Sequence, residues 1–372
     1  MKKYLFTSII IFLFSNYVFS QSAVKHILLE EFSTAPCGFC PDGDLVAAQL
    51  IIDHPPVIWL THHAGFGTDS MTIPESVTIA NAFTTFAPGA TIDRGDYPIP
   101  IYTYSGFIAI SRQKWDSVVV AHLNDPPVVD VSIINNYDPV TRLLNCTVQS
   151  DFITTPTAGD LRLNLFLVED SVVGFGNGYD QKNYYNTTPG HPYYNAGDPI
   201  VGYVHHHVMR KVVTGTWGMM GVIPGAPVAG SSYSHTFNSI SIPANWKEED
   251  MDVIAFVSYY DPSVFLRQVI NANHKLMLDS SVTTGISDLN SDADGISVYP
   301  NPASEYLIID LQKEKDNSEI KIFDPTGKIV LQKNLDARYS LIDTRKLNSG
   351  FYFYEIKGEG GTFFRTGKIV KQ

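Results

Sequence analysis

Ile27-Leu28-Leu29-Glu30-Glu31-Phe32-Ser33-Thr34-Ala35-Pro36-Cys37-Gly38-Phe39-Cys40 is the stretch on which the reading of this chain turns. From Lys25 to Phe32 the apolar bulk of Ile27, Leu28, Leu29 and Phe32 reads as a buried strand. The strand runs into a C-x-x-C pair. From Asp42 to Ile52, Leu45, Ala48, Leu50 and Ile52 then recur at about helical spacing, until His54-Pro55-Pro56 stops them. Paired cysteines at a strand-to-helix junction have a chemical use. Amide groups and the positive end of the helix dipole stabilise a thiolate there, lowering its pKa from ~8.5 to roughly 3.5–7.5. Cys37 would then attack a substrate disulfide and Cys40 would resolve the mixed disulfide. The same pair also suits a structural disulfide that never turns over, and both readings stand at this stage.

Further along, Val57–Leu60 reads as a second strand, Pro74–Phe86 as a helix and Thr91–Arg94 as a strand. Phe107–Leu123 reads as a helix with a stripe of Ile108, Trp115, Val118, Val119 and Leu123. The order β-α-β-α-β-α predicts a sheet covered by helices. Asn124-Asp125-Pro126-Pro127 marks a boundary, after which short runs are separated by Gly, Pro, Asn and Asp. Val128–Ile134, Leu143–Val148, Leu161–Glu169, Tyr203–Val213, Tyr233–Ile242 and Val253–Tyr259 read as strands of a β-sandwich. Leu161, Leu163, Leu165 and Leu167 alternate as a sheet with one face on a core requires. Ser280–Gly295 is polar and reads as a linker, and a third unit begins at Ile296.

Composition agrees with a mostly β protein: 44% hydrophobic, 17% charged, with 20 Tyr, 21 Phe, 27 Gly and 22 Pro. A formal net charge of -12 without a Lys/Arg cluster excludes a nucleic-acid partner. Lys2 and Lys3, the apolar run Leu5–Phe14 and Val18-Phe19-Ser20 before Gln21 are the parts of a signal peptide, residues 1–20. That run is too short to span a bilayer, so no transmembrane helix is expected in the mature chain. Export permits disulfides, and of three cysteines Cys37 and Cys40 are the obvious pair.

The last unit opens with Ser297-Val298-Tyr299-Pro300-Asn301-Pro302-Ala303. It continues through Ile320-Lys321-Ile322-Phe323-Asp324-Pro325-Thr326-Gly327-Lys328 and Leu347-Asn348-Ser349-Gly350-Phe351-Tyr352-Phe353-Tyr354, and closes with Phe363-Phe364-Arg365-Thr366-Gly367-Lys368-Ile369-Val370-Lys371. It resembles the type A sorting domain of type IX secretion cargo in Bacteroidetes, a small Ig-like β-sandwich. The resemblance implies that residues 296–372 engage the type IX machinery and deliver the chain to the cell surface or beyond it.

The N-terminal strand–C-x-x-C–helix order resembles thioredoxin-like proteins. That likeness implies a buried acid at Glu31, six residues before Cys37, able to accept a proton from the resolving thiol. Read from the residues alone, Glu31 is equally a strand-end carboxylate facing water. The same likeness makes Pro88, in Ala87-Pro88-Gly89-Ala90, the candidate for a cis-proline beside the dithiol. Leu29–Phe32, Cys37-Gly38-Phe39-Cys40-Pro41, Thr91-Ile92-Asp93-Arg94 and Trp115 further resemble the outer membrane protein 28-related family over roughly residues 24–280, most closely in the first hundred. The expected organisation is therefore a thioredoxin-like α/β domain at 21–124, a β-sandwich at 125–280, a linker at 281–295 and the sorting domain at 296–372.

Two functions stay open. One is thiol–disulfide exchange on a protein disulfide or dithiol substrate, with Cys37, Cys40, Glu31 and Pro88 as the site. The other is a non-enzymatic surface binding or adhesion protein, with ligand contacts on the Tyr-rich stretch around Tyr179–Tyr194, which is long for a sandwich loop. No cofactor or metal is expected. His205 and His207 would share one face of a strand, yet no carboxylate stands near them in sequence, and His62-His63 read as solvated loop residues. Cys146 reads as a buried small hydrophobe.

Overall fold

The computed structural model describes residues 23–279 apart from residue 101. In the C-terminal unit it describes residues 296–299, 303, 306–311, 318–335, 339–357 and 363–371. The signal peptide and the linker read from the sequence lie outside the described residues.

The first strand, β1 (Ile27–Ser33), leads into helix α1 (Cys40–Asp53), strand β2 (Val57–His63), helix α2 (Pro74–Phe83), and strands β3 (Gly89–Ile92) and β4 (Ile110–Ser111). Helix α3 (Trp115–His122) follows. The helix expected from Phe107 is shorter, because residues 110–111 extend the sheet and a single 3-10 turn precedes Trp115. Beyond it come β5 (Val129–Asp138), β6 (Leu143–Phe152), β7 (Asp160–Glu169), the two-residue β8 (Val172–Val173) and β9 (Val204–His205), and β10 (Val208–Val212). Then follow β11 (Ser232–Ser241), β12 (Met251–Tyr260) and β13 (Val269–Leu276).

The expected fold class, a thioredoxin-like α/β domain followed by separate all-β domains, is corrected by this structure. Three α-helices stand among twenty strands in the described residues, so the chain is predominantly β. The N-terminal strands do not close a sheet of their own. They form half of an eight-stranded sheet in the order β13-β12-β7-β10-β2-β1-β3-β4. The junction is the parallel pair Val208↔Thr61, which joins β10 to β2 across the boundary expected near residue 124.

Packing explains the continuity. Leu28, Phe32, Ile58 and Leu60 from β1 and β2 share one core with Phe166, Val168, Ile254 and Phe256 from β7 and β12, and α2 lies on that core through Ile79, Ala80 and Phe83. On the opposite face, Ile27, Leu29 and Trp59 meet α1 and α3 through Ala47, Leu50, Trp115 and Val119. A second sheet, β11-β6-β5, covers the other half of the large sheet. Leu161, Leu163, Leu165 and Leu167 enter that interface, as their alternation predicts. Their neighbours Asn164, Phe166 and Val168 are buried as well, so β7 is covered on both faces where the sequence suggested one.

The C-terminal unit, described by itself, has β14 (Ile296–Tyr299), β15 (Tyr306–Leu311), β16 (Ser318–Phe323), β17 (Ile329–Leu335), β18 (Tyr339–Asp343), β19 (Gly350–Lys357) and β20 (Phe363–Lys371). They form sheets β14-β15-β18 and β17-β16-β19-β20 around Leu307, Ile309, Ile320, Ile322, Tyr352, Tyr354 and Ile369. Between β16 and β17, Gly327 takes φ 85°, and Thr326 and Lys328 donate their backbone N–H groups to the Asp324 carboxylate.

Candidate functional site

The chain turns sharply between β1 and α1, and Cys37 and Cys40 are joined there by a disulfide with Cα atoms 5.4 Å apart. Two backbone bonds shape the turn: Cys37 N–H donates to Thr34 O at 3.0 Å and Cys40 N–H to Cys37 O at 3.2 Å. Cys37 is only 2% exposed and Cys40 is fully enclosed.

The cover is the long excursion 174–203 between β8 and β9. Lys182 N–H donates to Ala35 O at 2.8 Å and Tyr184 N–H to Gly38 O at 2.9 Å. The Gln181 side-chain amide donates to Cys37 O at 2.8 Å and Thr34 O at 3.3 Å. The Tyr184 ring lies over Gly38, where a Cβ would come within 2.5 Å of it, so a larger residue at 38 would lift the cover. Phe39 stands between the cysteines and meets Tyr184 edge-on at 4.9 Å. The rim is closed by Asp42, which pairs with Arg112 and with His191 at 3.2 Å, while the Arg112 guanidinium donates to the Tyr185 hydroxyl at 2.8 Å.

Beneath α1 lie two carboxyl groups. Glu31 is fully buried, and its Oε2 accepts from Trp59 Nε1 at 2.9 Å. Burial first, and the neighbouring Asp44 second, push Glu31 well above the usual carboxylate range. Asp44 is raised too, by burial, against the opposing hydrogen bond that Tyr203 donates to it at 2.6 Å. Glu31 Oε1 meets no donor among the described residues. Two carboxylates offer each other only acceptors, so one shared proton turns the contact into a hydrogen bond. The Ala87–Pro88 peptide is cis. Gly43 lets Pro88 and Glu31 approach α1, since a Cβ there would stand 2.6 Å from Pro88 Cβ and 2.7 Å from Glu31 Oε1. Cys37, Cys40, Glu31 and Pro88 are therefore gathered around the start of one helix. Asp44, Tyr203 and Gln181 were not singled out in the sequence. Asp44 did carry a signal, one helical turn after Cys40.

The histidines depart from their expected places. His62 and His63 end β2 in the interior, not in a solvated loop: His62 Nδ1 lies 2.9 Å from Ser76 Oγ and its Nε2 3.3 Å from Glu30, and His63 Nδ1 lies 2.6 Å from Asp69. His205 and His207 do not share a strand face, because β9 ends at His205 and His207 takes φ 50° before β10 begins. Among the described residues no three His, Cys, Asp or Glu side chains converge as a metal site would require. Cys146 is buried in β6, and burial pushes its thiol up to about 12.

Burial, and His63 beside it, lower His205 to about 4, and burial lowers His62 and His207 as well. Above pH 6.5 these rings are neutral folded or unfolded. As pH falls from 6.5 towards 4, the unfolded chain gains protons that the folded one refuses, so stability is lost across that window, by roughly 3 kcal/mol for a shift of His205's size. Glu31 and Asp44 act with the opposite sign: their contribution is full at low pH and is lost as pH rises through their raised values. His205→Gln is expected to lose less stability than the parent protein as pH falls from 6.5 to 4, read as a difference between their thermal midpoints that changes across that window. Parallel profiles of the two proteins would contradict the assignment.

Taken together, a disulfide turn built into a continuous β-rich body, with a small two-sheet unit near the C-terminal end, define a predominantly β protein of two units. Residues 85–277 match the family model of outer membrane protein Omp28, and residues 297–372 match that of the secretion system C-terminal sorting domain. The chain belongs to the outer membrane protein Omp28 family and is exported to the cell surface by type IX secretion. The family match begins at residue 85, so the C-x-x-C turn lies outside it, whereas the sequence resemblance had looked closest in the first hundred residues.

Among solved structures, HBP35 of Porphyromonas gingivalis is similar over 94% of this chain and 99% of its own, at 17% identity and a TM-score of 0.52. That likeness extends the strand arrangement over nearly the whole chain. A domain of the outer membrane lipoprotein Omp28 from the same organism aligns over 40% of this chain and 86% of its own, at 18% identity and a TM-score of 0.22. A protein with an immunoglobulin-like β-sandwich fold from Bacteroides vulgatus aligns over 24% of this chain and 92% of its own, at 22% identity and a TM-score of 0.19. No curated protein sequence matches the chain significantly. Among the described residues no helix is long and apolar enough to cross a membrane.

Proposed function

We propose that this surface protein is a non-enzymatic binding or adhesion protein that meets its ligand through the outer face of segment 174–203. The observation that carries the reading is the two-sidedness of that segment. Its inner face closes over the bonded cysteines, while Phe175, Tyr184, Tyr194 and Val201 are turned to solvent. Val173 and Val204 stand directly opposite each other in the β8–β9 pair, both exposed, and Phe175 reaches across to Gly202. Apolar side chains held outward together on a braced loop favour a partner that covers them. Purified protein carrying Phe175→Ser with Val201→Ser is expected to bind whole cells or immobilised glycans at least about tenfold more weakly, at an unchanged thermal midpoint. Undiminished binding would sink the reading.

Thiol–disulfide exchange is the second reading, with Cys37 as nucleophile, Cys40 as resolving thiol, Glu31 as proton acceptor and Pro88 lining the groove. One observation favours it: the buried carboxyl groups of Glu31 and Asp44, both raised by burial, lie at the helix that Cys40 begins. The enclosure of both sulfurs weighs against it. Reduction of insulin disulfides by the wild type and by Cys37→Ser decides the matter, and equal rates remove the reading.

A further inference from the structure

We propose that the Cys37–Cys40 disulfide is a clasp for segment 174–203, holding it against α1 while oxidised and releasing it when a dithiol reduces the bond. The anchoring bonds at the disulfide face converge on residues 34–44. Ala35 O, Cys37 O and Gly38 O accept from Lys182, Gln181 and Tyr184, and Asp44 accepts from Tyr203. Those three carbonyls lie in the turn before α1, outside any strand or helix, oriented by two backbone bonds and the sulfur–sulfur bond. Closing the ring covalently keeps the acceptors in register with the donors of residues 181–184. Opening it returns several backbone torsions to the turn.

The segment is built to move as a unit. Asn183, almost fully buried, donates its amide to Tyr193 O at 3.0 Å and Gly197 O at 2.9 Å. Asp198 accepts from Asn183 N–H at 3.0 Å and from Lys182 Nζ at 2.8 Å. At its root, Gly176, Gly178 and Gly202 take φ of 80°, 97° and 68°, where other residues would be strained.

The chemistry balances. A thiolate of the dithiol bonds to Cys37 Sγ, and the Cys37–Cys40 bond breaks with its electron pair on Cys40, which takes up the proton the dithiol has shed. The second thiol displaces Cys37, which is protonated in turn, and the dithiol leaves as a disulfide after giving two electrons. Linkage then requires reciprocity: if the oxidised turn favours docking, docking resists reduction to the same extent.

The test is hydrogen exchange at Lys182 and Tyr184 in the full chain, oxidised and after dithiothreitol, with alkylation confirming that Cys37 and Cys40 are free. Exchange at both amides is expected to rise at least about tenfold on reduction, with β5–β7 unchanged, tenfold being the factor for about 1.4 kcal/mol. Gln181→Ala is expected to speed reduction by about tenfold, the effect of losing its hydrogen bonds to Cys37 O and Thr34 O. Protection unchanged in alkylatable protein, or a reduction rate indifferent to Gln181→Ala, would overturn the clasp. Should Cys37→Ser with Cys40→Ser fail to fold, chemical reduction of the wild type still decides. Control of ligand binding by the clasp rests on the binding reading above, whereas exchange needs no ligand: risen exchange with undiminished binding by the Phe175→Ser/Val201→Ser protein sinks that reading and leaves the clasp standing.

Discussion

Residues 23–124 produced alone are expected not to fold, while residues 23–279 melt as one cooperative unit. Cutting at 124 strips β2 of its neighbour β10 and takes Phe166, Val168, Ile254 and Phe256 out of the core that Leu28, Phe32, Ile58 and Leu60 share with α2. Each such side chain contributes about 1.5–3 kcal/mol when buried, and a domain's net stability is only about 5–15 kcal/mol. Losing even half of that cover from four side chains takes a large share of the margin. Polar ties are cut as well: Asn271 accepts from His26 N–H at 2.9 Å and donates to Val24 O at 3.0 Å. Circular dichroism melting of both fragments checks this. A cooperative melt from 23–124 would restore an independent N-terminal domain.

Glu30→Leu and Arg94→Leu are each expected to cost about 3–5 kcal/mol, and the double substitution to recover most of it. The Arg94 guanidinium donates to both Glu30 oxygens, at 2.6 and 2.7 Å, with Thr91 Oγ1 donating to one of them at 3.2 Å. Burial alone would raise the Glu30 carboxyl; Arg94 and His62 reverse that and hold it at about 2. Arg94 is itself enclosed, its guanidinium within 6 Å of the rings of Phe83, Trp217 and Phe256. Removing one partner leaves a charge in the interior without its counter-ion, whereas removing both leaves apolar groups among aromatic rings. Urea titrations of the single and double variants measure the difference, and single variants as stable as the parent would refute the ion pair's role.

The two adjacent glutamates mark the limit of what could be read locally. Glu30-Glu31 looks like the wet end of a strand, and it would be one in a sheet open on one face. Successive residues of a strand point to opposite faces, so burying both requires cover on both. α1 supplies it over Glu31, and the packed elements around Arg94 supply it over Glu30. His62 and His63 were misplaced for the same reason. The cysteine turn, by contrast, was legible because strand, C-x-x-C and helix start are contiguous, and the leucine alternation of β7 because its period is local.

By itself the sequence determined most of the elements, the paired cysteines, the sorting domain at the C-terminal end and the family, all written in short-range spacing. Only the tertiary structure decided that β2 and β10 would pair and so abolish a domain boundary, and that Gln181 would close over Cys37 from 144 residues away. Those contacts depend on complementary apolar faces and free backbone acceptors meeting in space, and no periodicity along the chain encodes which face finds which.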